Sequence, residues 1–264
     1  MKRLLKLRYI VVSFSVLILL WYLLASVSSV GEALFPKPLT VGKALVDLFA
    51  DGTMGANIGA SLYRFAIGYV TSVVSAAILG LIIGWFKPLY GYISPILQII
   101  RPIAPVAWMP FIVLFIGIGD VPAIVIIFLA GFFPVLLSTI SAVRNIDPVY
   151  LKVAKNFGIK QPAVLYKIVF PAAFPQIANS LHVALGSAWI FLVSGEMVGT
   201  QSGLGYMIID ARNNLRMDYL LAAMVMIGLI GFILDALIGK FEKTVMKAWL
   251  RLITARSCWL VLHV

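Results

Sequence analysis

From Arg144 to Pro171 the chain reads RNIDPVYLKVAKNFGIKQPAVLYKIVFP, a polar stretch set into a sequence that is otherwise largely apolar. Five of its residues are basic (Arg144, Lys152, Lys155, Lys160 and Lys167), and one, Asp147, is acidic. Asp147 suits a helix N-cap and Pro148 the first helical position, where no N–H is required. Gly158 suits the left-handed residue that ends many helices. Between them Val149, Tyr150, Val153, Ala154 and Phe157 recur at helical spacing and predict one apolar face. Lys152, Lys155 and Asn156 fall on the remaining surface. A second helix is expected to start at Pro162 and to end before Pro171. A short amphipathic helix of this kind either docks into a groove on a partner or rests on the headgroups of a bilayer.

Working outward, composition places the chain in a membrane. Of its 264 residues, 62% are hydrophobic and 12% charged, with a mean hydropathy of +1.05; a soluble domain has about 25% charged residues. Six apolar segments reach crossing length, near 9–28, 62–86, 95–118, 121–143, 175–198 and 218–239. Backbone polar groups in lipid must pair within their own segment, so each is expected to be a helix. The predicted fold is all-α and polytopic, with about six transmembrane helices. One membrane domain spans 1–250, and 251–264 form a C-terminal tail. The run Tyr9–Ala25 exceeds the roughly 7–15 residues of a signal-peptide core and reads as the first span.

Lys and Arg set the orientation. With both termini inside, fifteen fall on the cytoplasmic side: four before Tyr9, Lys87, the five in the loop, and five from Lys240 onward. Five fall outside (Lys37, Lys43, Arg64, Arg212 and Arg216), and Arg101 lies in or near a span. This bias puts both termini and the basic loop in the cytoplasm. The net charge of +11 therefore reads as loops flanking spans and not as a nucleic-acid surface. In the external segment 29–61, Val41, Ala44, Leu45 and Leu48 predict a short helix, lying at the outer interface or simply connecting spans. The single Cys258 allows no internal disulfide, and His182 and His263 are too few and too separated for a metal centre. No cofactor is expected.

Ionisable residues inside spans are functional candidates. Depth alone permits two pairs, Arg64 with Glu196 near the outer face and Arg101 with Asp235 near the inner face. The alternative is that each side chain snorkels to the interface. His182 either lines a path or is packed and hydrogen-bonded. Ser187, Ser194 and Asn179 offer polar groups to a passing solute, or bond to neighbouring backbone. Gly80 and Gly84 form a GxxxG for close packing. Pro102, Pro105 and Pro110 interrupt the third span, as a path-lining break or as a plain kink. The Gly-rich stretch Gly199–Gly205 predicts a bend.

The loop's spacing resembles the EAA motif of ABC importer permeases: EAA, three residues, Gly, nine residues, Ile, one residue, Leu-Pro. Here Lys152-Val153-Ala154 is followed by Gly158, Ile168 and Phe170-Pro171 at those intervals. Lys152 replaces the acidic residue, Val153 an alanine and Phe170 a leucine. The segments NIGASLYRFAIGYV, ISPILQIIRPIAPVAWMPFIVLFIGIGD and GEMVGTQSGLGYMI are similar to the permeases of nitrate, sulfonate, taurine and bicarbonate importers. The resemblance covers about Leu34 to Leu250. It implies a type I ABC importer permease in a bacterial inner membrane, working as a homodimer with two ATPase subunits and an external substrate-binding protein. It also implies that 144–171 is the ATPase coupling segment, through Val149, Tyr150, Lys152, Val153, Ala154, Phe157, Gly158, Ile168 and Pro171. The chain has no GxxxxGK[ST] loop, so ATP hydrolysis would belong to the partner. The alternatives are an ion-coupled secondary transporter and a non-transporting assembly protein.

Overall fold

Proline and glycine set many of the helix boundaries in the computed structural model, which describes residues 2–27, 31–159 and 163–261. The α-helices are α1 (Lys2–Val27), α2 (Pro38–Ala50), α3 (Thr53–Trp85), α4 (Lys87–Ile100), α5 (Met109–Ile116), α6 (Asp120–Arg144), α7 (Pro148–Asn156), α8 (Phe170–Gly199), α9 (Leu204–Asn213) and α10 (Met217–Val261). A 3-10 turn, Pro105–Trp108, precedes α5, and a π turn, Leu165–Val169, leads into α8. No strand occurs among the described residues. Lys160, Pro162 and His263 lie outside them. The tail expected from 251 is a continuation of α10 as far as Val261.

Among the described residues, four stretches are long and apolar enough to cross a bilayer: α3, Leu165–Gly199, α6 and the Met217–Met246 part of α10. The described apolar part of α1 is shorter, Val11–Val27. The segment at 95–118, expected as a span that Pro102, Pro105 and Pro110 interrupt, belongs to two helical stretches, Lys87–Ile100 and Pro105–Ile116, bent by 85°. The cause is local: Pro102 and Pro105 have no N–H to give a helical ladder, and each ring opposes the carbonyl four residues back.

One boundary differs from expectation. Pro171 does not follow a helix end; it sits inside continuous helix, in the first turn of α8. The π turn just before it widens the backbone by one residue. A π turn is a recognised local departure from α geometry inside an otherwise continuous helix.

The chain divides into two compact units, Met1–Ser61 with Gln201–Leu229 and Leu62–Thr200 with Ile230–Val264. In the first, α2 buries Val41, Ala44 and Leu48, with Leu45 half-buried, as the periodicity predicts. Asp51 Oδ1 accepts from Thr53 N at 2.8 Å and starts α3. The N-terminus of α9 is capped from α3: Asn57 Oδ1 accepts from Gly203 N at 2.6 Å, and Ser61 Oγ from Leu204 N at 2.8 Å. Helix starts carry free N–H groups that need such partners.

The second unit is built on α3, α6 and α8. A Cβ on Gly68, Gly80 or Gly84 would come within 2.6–2.8 Å of Ile127, Thr139 or Val143 respectively. The contact on α6 advances as the glycine advances along α3, so the two helices run parallel. Gly80 and Gly84 thus serve packing within the chain. Parallel α3 and α6 require the chain to return across their length between Trp85 and Asp120, which is the course of the bent α4–α5 pair. Around this seam Ile126, Ile127, Leu136 and Leu192 are buried. Phe65 packs edge-on against Trp189, and Tyr69 Oη donates to Leu181 O at 2.8 Å.

Candidate functional site

Three groups of residues in the second unit carry chemistry. The first joins Arg64 of α3 to the start of α6 and the end of α8. Arg64 donates from Nη1 to Glu196 Oε1 at 2.7 Å and from Nε to Asp120 Oδ1 at 2.8 Å. Its Nη2 is 2.6 Å from the same Asp120 oxygen. Glu196 is 0% exposed and the Arg64 side chain 3%, while Asp120 reaches solvent. Buried charges of this kind are tolerated only when paired and hydrogen-bonded, and a planar guanidinium can serve two carboxylates at once. Gly119 N donates to Gly199 O at 2.8 Å, and Thr200 Oγ1 to Glu196 O at 3.0 Å, so backbone and charge tie the same ends together. Arg64 and Glu196 are thus brought together as depth suggested. Asp120 escaped the sequence reading, although its place directly after Gly119 at a helix start favours an anion there.

Arg101 and Asp235 are not brought together. Asp235 Oδ1 instead accepts from His182 Nε2 at 2.8 Å, and Glu242 Oε2 lies 3.6 Å from the other ring nitrogen. The pairing by depth failed because α10 faces α8 at His182, where Gly239 leaves room for the ring. Arg101 stands at the break after α4 and lines a cavity of about 490 Å³ together with Ser138, Asn179, Ser187, Leu137 and Phe191. This cavity lies beside the middle of α6 and of α8, so Arg101 stands level with mid-helix positions of both.

The cavity's polar groups differ in what they have left to give. Ser180 Oγ donates to Ile177 O at 2.6 Å, and Ser187 Oγ lies 3.1–3.2 Å from the carbonyls of Ala130, Val183 and Ala184. Ser194 does not line the cavity; its Oγ faces Ile190 O at 3.5 Å.

The third group is the basic loop. Asp147 Oδ1 accepts from Val149 N at 2.8 Å, capping α7. At the other end Gly158 takes φ +63°, its N–H donates to Lys155 O at 3.1 Å, and Ile159 N donates to Ala154 O at 3.0 Å. These two bonds make a Schellman ending, which satisfies the last carbonyls of the helix. Ala154 is 2% exposed and joins an apolar cluster with Val143, Val164 and Val169, against which Ile159 and Ile168 pack. Val149, Tyr150, Val153 and Phe157 remain exposed, Phe157 at 68%. The predicted apolar face is therefore divided. Ala154 holds α7 to the unit, and four larger side chains face outward with Lys152. Arg144 stacks over the Tyr90 ring at 3.8 Å, fixing the loop's root beside α4.

Comparison with known proteins gives the chain's family and its fold. The model of the family described as binding-protein-dependent transport system inner membrane component matches residues 76–247. The taurine transport system permease protein TauC of Escherichia coli is 30% identical over 228 residues, which cover 84% of this chain and 83% of that one. The nitrate import permease protein NrtB of Synechocystis is 30% identical over 247 residues, 90% and 88% of the two chains. Among solved structures, an inward-facing conformation of the MetNI methionine ABC transporter superposes with a TM-score of 0.61 at 19% identity, covering 73% of this chain and 94% of that one.

Proposed function

Because the chain belongs to the family of binding-protein-dependent transport system inner membrane components, and is the permease subunit of an ABC importer, we propose that segment 144–171 couples it to a cytoplasmic ATPase. The observation that carries this reading is α7 itself: capped at both ends, anchored by Ala154, and presenting Val149, Tyr150, Val153 and Phe157 to solvent. Large apolar side chains on a short, rigid helix suit insertion into a partner's groove. Gly158 and Pro171 set the backbone on either side, and Ile168 ties the segment to the unit's core.

ATP binding by the partner would close its subunits and carry α7 with them. The bundle would then alternate between inward and outward opening. The path runs by the cavity beside α6 and α8, with Asn179 and Ser187 on its wall. Residues 1–250 form the permease domain, both termini lie in the cytoplasm, and two copies assemble with an external binding protein. The relatives named for nitrate and taurine support a small oxyanion or sulfonate as substrate.

The test is to purify the intact assembly, identify any bound ATPase, and measure uptake in vesicles. Vanadate-sensitive, binding-protein-dependent uptake is expected. Uptake driven by an ion gradient without ATP would overturn the coupling reading in favour of a secondary transporter, and a bound partner with no uptake in either condition would point to an assembly role.

A further inference from the structure

We infer that the cavity beside α6 and α8 is an anion subsite, with Arg101 as the residue that selects charge. The inference rests on the permease reading and adds the chemistry of what passes.

Arg101 has no ion-pair partner among the described residues, although the carboxylates of the unit's spans lie in the same unit. Asp120 and Glu196 are held by Arg64, and Asp235 by His182. Glu242 stands by the same imidazole. No Asp or Glu lines the cavity. Arg101, exposed, borders this largely apolar hollow, and none of the hollow's lining residues offers its five N–H groups a carboxylate. Asn179 is the second group there with hydrogen bonds unspent among the described residues, while the serines beside it are committed to backbone. Arg101 also sits at the break of the bent α4–α5 pair. Interrupted helices at mid-depth are where transporters bind their solutes, and a planar oxyanion matches the fork of a guanidinium. A cation would meet Arg101 as a like charge, so the site discriminates by sign.

The experiment uses the whole transporter, this chain with its ATPase and binding protein in chloride-free vesicles, and follows ATP-driven uptake of nitrate, ethanesulfonate and neutral amino acids. Co-purification of the ATPase reports assembly. Arg101→Gln is expected to lower anion uptake about 10–100-fold with a raised half-saturating concentration, and Arg101→Lys to recover part of it. Asn179→Asp, which sets a carboxylate in the same cavity, is expected to lower anion uptake similarly and decides the matter if Arg101→Gln does not assemble. Nitrate or ethanesulfonate uptake at the wild-type rate in the assembled variants would overturn the subsite. Wild-type uptake of neutral solutes alone would overturn it while leaving the permease reading intact. Failure of the wild type to import any of these with ATP would overturn both.

Discussion

Replacing Arg64 by glutamine removes one charge from a site that holds three. Glu196 then stays buried without the Arg64 guanidinium, and breaking a buried ion pair costs about 3–5 kcal/mol in other proteins. A clearly lower melting temperature of the purified assembly is expected, and an unchanged one would contradict the pairing's importance. Exchanging the charges, Arg64→Glu with Glu196→Arg, should not restore stability by itself, because a carboxylate at position 64 would then face Asp120. Adding Asp120→Asn to the exchange should recover more of it, measured the same way. Lys152 poses a different question. It is exposed and stands where the resembled motif is acidic. Surface changes of this kind alter folding by about 0.5 kcal/mol at most. If α7 docks as proposed, Lys152→Glu should weaken capture of the cognate ATPase several-fold at low salt and less at high salt, as rim charges do. Equal capture at both ionic strengths would exclude Lys152 from that contact.

Among the elements, α7 shows how much local sequence can say. Its cap at Asp147 and its ending at Gly158 were legible, since both depend on neighbours within a few residues. Gly158 holds φ +63°, which glycine adopts freely, asparagine tolerates and β-branched residues resist. ATP-driven uptake should therefore fall in the order Gly, Asn, Ala, Val at this position; a valine variant as active as wild type would contradict the need for this turn. Helix packing was less legible. A GxxxG pattern does not name its partner, and only the structure sets Gly80 on Thr139 and Gly84 on Val143. Gly80→Leu is expected to destabilise by about 1–3 kcal/mol through overpacking. Gly91→Leu, where a Cβ meets nothing within 4 Å, should leave the melting temperature close to wild type. Pro171 was misread for a related reason. A proline signals a strained turn, and whether the helix stops there or widens depends on what anchors its two sides.

At the scale of the whole molecule, alternating access predicts that the cavity changes its side of exposure. With Cys258→Ser as background, a thiol introduced by Asn179→Cys should react with a membrane-impermeant reagent from one side in the resting transporter. It should lose that reactivity when ATP and vanadate trap the closed ATPase. Identical labelling in both states would argue against a moving path. Composition and the apolar segments were enough for a helical membrane protein, because hydrophobic burial in lipid acts over short stretches of chain, and the resemblance carried by the loop and its neighbouring segments added the permease family. The tertiary structure alone decided how sharply the proline-interrupted third segment bends, that Arg64 gathers Asp120 as well as Glu196, that Asp235 belongs to His182, and that Arg101 borders a cavity beside α6 and α8. Each of these depends on which helix faces which, and at what register. Residues of similar depth are equally eligible partners until the parallel packing of α3 against α6 chooses among them.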